Sequence, residues 1–301
     1  MESLLSLAFD NLSSYDGPKI RKGLRQVEGL LAQICLSNAN ANANANSRND
    51  RHRGRDSEDD SSDASTSSQK DLSQLSQDPA FREFFKLQEG FEWNVPMRLI
   101  GTLDRLMAKG GDGGNDLLIL SALDLIQGLL LLHPPSKSLF AREQNMNLLL
   151  DLLEPYNCPA IQSATLLTLV TALIDTPINT RTFESLDGLL TVTSLFKSRS
   201  TAREVKLKLV EFLYFYLMPE MPSIPRADQR DSVPGMFQRS PSKLVGAFNA
   251  DSRRKRSTSN PEGDIFLTTE EKQELLSQHL SSVEDLVKDL RDCAPFGGVV
   301  C

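Results

Sequence analysis

The groups in this chain able to do chemistry are few: four cysteines, three histidines and a scatter of carboxylates among 301 residues. Cys35, Cys158, Cys293 and Cys301 lie far apart, form no CxxC pair, and none is followed five residues later by the arginine that a cysteine-phosphatase loop requires. No GxxxxGK[ST] loop, strand-linked GxGxxG, HExxH or GxSxG elbow is present, so no phosphate cradle, zinc pair or activated serine can be assembled from the known spacings. The glycine-rich run Lys109–Gly114 has neither a strand before it nor a phosphate-binding lysine after it, and reads as a linker between helices. His133 closes an apolar run just before Pro134, where an imidazolium would complement a helix C-terminus. Asp104 and Asp124 fall on polar helix faces and read as solvated carboxylates. The expectation is therefore no catalytic residue, cofactor, metal or small-molecule substrate. The alternative is an enzyme with an unrecognised site, such as a phosphatase.

What remains is charge that could bind or be modified. Lys19, Arg21, Lys22 and Arg25 cluster on the polar side of one predicted helix, and Arg203, Lys206 and Lys208 on another, with Glu204 and Glu211 nearby. Both clusters are candidate partner-binding surfaces, read against the simpler option of solvated faces. In a chain of net charge -7 such patches would orient an acidic segment of a partner. Ser240 sits in Ser240-Pro241-Ser242-Lys243, a proline-directed kinase pattern, and Ser257 follows Arg253-Arg254-Lys255-Arg256. Phosphate on either would add about two negative charges beside arginines. The same basic run also fits a nuclear-import sequence or a solvated charge run. The acidic balance argues against a phosphate-backbone partner, so no nucleic acid is expected.

The elements that position these residues are helices. From Met97 to Leu217 the apolar residues recur at helical spacing and again after a shift of 43 residues. Met97, Phe140 and Phe183 align, as do Leu103, Met146 and Leu189, and Leu106, Leu149 and Val192. Later in the unit Leu123 matches Leu166 and Leu209, Ile126 matches Leu169 and Phe212, and Leu131 matches Ile174 and Leu217. A purely helical period of about 40 to 47 residues predicts an all-α, armadillo/HEAT-like solenoid of three to four repeats. An irregular bundle with chance leucine alignment is the alternative. The spacing predicts equivalent helices over 115–132, 158–175 and 201–217, with Pro134-Pro135, Pro155, Pro159 and Pro177 at helix boundaries.

Residues 1–36 read as a helical hairpin, with stripes Leu4, Leu5, Ala8, Phe9, Leu12 and Ile20, Leu24, Val27, Leu30, Leu31, Ile34 on either side of Asp16-Gly17-Pro18. Residues 37–77, with Asn and Ala alternating before basic, acidic and Ser-rich blocks, read as a disordered insertion. Asp78-Pro79 restarts the fold for a repeat core over 78–218. Residues 219–264 read as a flexible Pro/Ser/Arg-rich linker, and 265–293 as a C-terminal amphipathic helix opened by Thr268-Thr269-Glu270-Glu271 and running to Asp292. The apolar run Leu117–Leu132 is interrupted by polar residues and too short to span a bilayer, and the N-terminus has no secretory pattern. With its dispersed cysteines, the chain reads as a reduced, soluble cytoplasmic protein without membrane insertion.

Three stretches carry a resemblance. Leu4-Leu5-Ser6-Leu7-Ala8-Phe9-Asp10-Asn11-Leu12, the run from Asp16-Gly17-Pro18-Lys19-Ile20 to Cys35, and Phe81-Arg82-Glu83-Phe84-Phe85-Lys86-Leu87-Gln88-Glu89-Gly90-Phe91-Glu92-Trp93-Asn94 resemble the fungal septation-initiation-network component called cell division control protein fourteen. This is not the dual-specificity phosphatase of the same name, whose Cys-to-Arg loop is absent here. The resemblance covers roughly 1–36 and 78–218. It implies a non-catalytic scaffold or regulatory subunit of a germinal-centre-type protein kinase, recruited to the spindle pole body and promoting septum formation and cytokinesis. It implies nothing for the polar insertion or the Ser-rich linker.

Overall fold

The computed structural model describes residues 1–36, 75–108, 113–220 and 266–283. The predicted insertion up to residue 74, the linker from residue 221, Ser240, Ser257, Cys293 and Cys301 lie outside the described residues, as does the chain beyond 283. Among the described residues the regular elements are helices and no strand is present. The chain divides into one unit over Met1–Phe215 and a second over Tyr216–Cys301.

In the first unit, α1 (Glu2–Leu12) and α2 (Gly17–Cys35) pack together as a helical hairpin. Their approach is set by Gly23, where a Cβ would lie 2.9 Å from Leu12 Cγ and 3.1 Å from the Ala8 carbonyl. Leu5, Ala8, Phe9 and Leu12 are buried on α1, and Ile20, Leu24, Val27, Leu30, Leu31 and Ile34 on α2. α3 (Pro79–Glu89) starts as predicted: Asp78 Oδ1 accepts from the amides of Ala80 at 2.7 Å and Phe81 at 3.3 Å, and Pro79 takes the first helical position, which needs no donor. Leu75, just before it, is buried.

α4 (Val95–Ala108) follows a turn closed by two buried amides. Gln88 accepts from the Val95 amide at 2.8 Å, and Asn94 donates to the Gln88 carbonyl at 2.6 Å while accepting from the Met97 amide. Arg105 on α4 donates to the carbonyl of Leu12, the last residue of α1, at 2.6 Å, satisfying one of the acceptors a helix end leaves open. α5 (Asp116–Leu132) packs against α2 and α4. Gly113 precedes it with φ of 69°, a left-handed conformation that glycine adopts without Cβ strain; residues 109–112 of the predicted loop lie outside the described residues.

A 3₁₀ segment (Pro134–Ala141), α6 (Glu143–Leu152) and α7 (Pro159–Leu173) come next, then α8 (Pro177–Ser185), α9 (Gly188–Lys197) and α10 (Arg203–Leu217). The order short segment, middle helix, long helix thus occurs three times, the long helices starting at 116, 159 and 203. Pro134, Pro159 and Pro177 open their elements, as the sequence predicts. Where α7 turns polar side chains inward, Thr165 and Thr168 donate to the carbonyls four residues back, so each buried hydroxyl has a partner.

Four of the six matched triplets are buried throughout: those of Leu103, Leu106, Leu123 and Ile126. Two need correction. Leu131 is 61% exposed and Ile174 40% exposed, although Leu217 is buried, and Met97 is only half-buried beside the fully buried Phe140 and Phe183. The reason for Leu131 is angular. Five residues beyond Ile126 is about 140° round a helix of 3.6 residues per turn, so the stripe continues through Leu130, which is buried.

The second unit contains the last residues of α10 and α11 (Thr269–Ser277), which opens with the predicted capping box: Thr268 Oγ1 accepts from the Glu271 amide at 3.3 Å and Glu271 accepts from the Thr268 amide at 2.8 Å. Lys272 is buried there against the Tyr216 ring, donates to the Met218 carbonyl at 3.0 Å and pairs with Glu220 at 3.0 Å. α11 itself ends at Ser277, where His279 bonds the Leu276 carbonyl in a tightened last turn. Leu280 and Val283 are buried beyond it, Val283 again in helical conformation; the rest of the predicted helix to Asp292, with Val287 and Leu290, lies outside the described residues.

Candidate partner-binding surface

All four basic residues of α2 are exposed, but they do not share one face. At about 100° per residue, Arg21 and Arg25 lie within roughly 40° of each other and Glu28 falls on the same side, while Lys22 and Lys19 turn progressively away. The Arg21, Arg25 and Glu28 side faces α5, and a groove of about 520 Å³ runs between the two helices. Leu117, Leu120, Ser121, Asp124 and Leu125 line its α5 wall, with Leu24 and Leu118 buried beneath. Leu117 is 71% exposed, and Leu120 and Leu125 are half-buried.

The groove is electrically two-ended. Gly17, at the start of α2, lies 3.9 Å from a Leu118 methyl at the start of α5, and Glu28 acts on Asp124 further along both helices. The arginines therefore occupy one stretch and the carboxylates the next. Burial by the groove raises the Asp124 carboxyl above its ordinary value of 3.8, and the neighbouring Glu28 charge raises it further. Asp124 is exposed, as the sequence reading assigned, and the groove adds the partial desolvation and the Glu28 neighbour that raise it.

The second predicted cluster is not brought together. Arg203 and Lys206 are about 60° apart on α10, but Lys208 lies some 140° from Arg203 and pairs with Glu211 at 2.7 Å. Arg203 is exposed; Lys206 and Lys208 are half-buried. His133 also departs from expectation. It is buried at the end of α5, its ring in a T-shaped contact with Phe85 at 4.3 Å between ring centroids and its Nδ1 2.7 Å from Ser136 Oγ. Desolvation lowers its pKa below 6.5, with Glu89 opposing, so the ring is neutral at physiological pH and does not act as a cationic helix-end partner.

Sequence reasoning named Arg21 and Arg25 as candidates and did not name the opposite wall. The exposed Leu117 ahead of the stripe was the available clue, but only the packing of α2 on α5 places it beside the arginines. Among the described residues no group of three or more His, Cys, Asp or Glu side chains could hold a metal ion, and no helix is long and apolar enough to cross a membrane.

The fold and this surface define an all-helical protein that offers a charged, partly apolar groove between two neighbouring helices. The family described as Cell division control protein 14, SIN component, matches residues 1–296, and the chain belongs to that family. A relative from Schizosaccharomyces pombe, Cell division control protein 14, is 32% identical over 180 residues, a match spanning 60% of each chain. No solved structure matches. The family is thus the septation-network component anticipated from the N-terminal stretches, a cell-division protein distinct from the phosphatase that shares its name.

Proposed function

We propose that this protein is a non-catalytic scaffold that binds a germinal-centre-type protein kinase of the septation initiation network and so promotes septum formation and cytokinesis. The observation that carries the reading is the two-helix groove, whose exposed Leu117 and paired Arg21 and Arg25 offer apolar area and charge to a partner protein. Membership of the SIN-component family supports it. The threefold recurrence of short, middle and long helices supports an armadillo-type stack, an architecture that binds through extended helix faces. In this reading the protein works from the cytoplasm and is recruited with the kinase to the spindle pole body; Ser240 and Ser257 are candidate phosphorylation sites regulating that recruitment.

The test is reconstitution. Purified chain and purified kinase should form a stable complex on size-exclusion chromatography, and the chain alone should release no phosphate from a generic phosphoester. Turnover of the phosphoester without kinase binding would replace this reading with the enzyme alternative.

A further inference from the structure

We propose that the groove between α2 and α5 is a docking site for a partner helix that carries an acidic and a basic side chain about two turns apart, with an apolar side chain between them. The inference goes beyond the kinase reading, since it fixes the chemistry of the docked segment whichever protein supplies it.

Three observations converge. The floor is apolar, with Leu24 and Leu118 buried, and the α5 wall carries Leu120 and Leu125 beside Ser121 and Asp124, with Leu117 left 71% exposed at the mouth. Arg21 and Arg25 stand one turn apart on the opposite wall, and among the described residues neither makes an ion pair. Glu28 and Asp124 face each other further along, also without a cation, and their mutual repulsion is part of what holds the Asp124 carboxyl above its usual range. Arg25 stands one turn before Glu28 where the two stretches meet, but among the described residues none of the four groups is ion-paired, so the groove runs from a basic to an acidic end.

The dimensions select a helix. Arg21 and Glu28 are seven residues apart on α2, about 10 Å at 1.5 Å per residue. A partner helix laid along the groove spans that distance with positions i and i+7, and places i+3 or i+4 over the α5 wall between Leu118 and Asp124, where Leu120 lies, with Leu117 at the Arg21 end. Because a helix can lie in either direction, the requirement is opposite charge at the two positions, not a fixed order. A nucleic-acid backbone or an anionic lipid surface fits poorly, since either would meet Glu28 and Asp124 with like charge.

The experiment uses the full chain and four fluorescein-labelled helical peptides that differ only at i and i+7: Glu/Lys, Glu/Glu, Lys/Lys and Gln/Gln, each with Leu at i+4. Anisotropy titrations at moderate salt should give the Glu/Lys peptide the tightest binding, by about tenfold over either like-charged peptide. Replacing its Leu with Ser should weaken it further. The double variant R21E/R25E turns the whole groove acidic, and preference should pass to the Lys/Lys peptide. Arg21 and Arg25, the two side chains changed, are exposed, and a thermal melt matching the parent checks that the variant is folded. Equal affinity for Glu/Glu and Glu/Lys would overturn the two-ended groove, and so would an unchanged preference in R21E/R25E. Absence of saturable binding by all four peptides would overturn the docking site while leaving kinase binding through another face intact.

Discussion

The Asn179 side chain donates to the Lys137 carbonyl 2.8 Å away, a bond that joins α8 to the 3₁₀ segment across 42 residues of chain. The same amide donates to the Ala172 carbonyl at 2.7 Å, near the end of α7, and Lys137 in turn donates its ammonium to the Ile174 carbonyl at 3.0 Å. One buried residue thus ties the 3₁₀ segment, α7 and α8 together where the second long helix ends and the third set begins. Replacing Asn179 with Leu leaves two buried carbonyls without that donor, and should cost about 2 to 4 kcal/mol, read as a lower denaturation midpoint in urea at unchanged m-value.

Gly23 and Gly29 make a matched pair on α2. A Cβ at Gly23 would press on Leu12 and on the Ala8 carbonyl of α1, whereas nothing lies within 4 Å of one at Gly29. Gly23→Ala should destabilise by about 1 to 3 kcal/mol through forced separation of the hairpin. Gly29→Ala should be neutral or stabilising by up to about 1 kcal/mol, because alanine loses less backbone freedom in a helix. Thermal melts of the two variants side by side check the sign of each.

The repeat core gives a second contrast. Leu166 is buried on α7 and Leu131 is exposed on α5, although both belong to matched triplets. Leu166→Ala should cost about 2 to 5 kcal/mol and Leu131→Ala less than about 0.5 kcal/mol. Leu166→Asp or Leu209→Asp should be more damaging than the alanine change, since each buries an unpaired charge.

His133 confers a pH dependence of definite sign. Burial lowers its folded pKa below the ordinary 6.5, so between that lowered value and 6.5 the unfolded chain holds the proton that the folded chain does not. Stability then falls as pH drops below 6.5 and is independent of this ring above it. Chemical denaturation at several pH values should show this component, and His133→Gln should remove it.

Much of the fold was legible because it is local. Proline at the first helical position, the Asp78 and Thr268 caps, and apolar residues three and four apart each act within one or two turns, so residue order alone carries them. The shift of 43 residues keeps helical phase, but the triplet of Leu131 and Ile174 lies off the buried stripe: Leu131 is turned away from it and Ile174 caps the end of α7. Charges close in sequence need not share a face: Arg203 and Lys208 do not, whereas Arg21 and Arg25 do. The groove itself is non-local. It joins α2 to a wall some ninety residues later, and the burial that makes His133 neutral and raises Asp124 depends on neighbours from other helices.

The proposed role is binding of the network's kinase through this chain's surface. Isothermal titration of the purified kinase with the full chain tests it most directly. A saturable one-to-one isotherm, weakened about tenfold or more in R21E/R25E at unchanged melting temperature, is the result expected of the groove as the contact. No heat of binding at protein concentrations up to about 100 μM, with the chain folded, would contradict the scaffold reading.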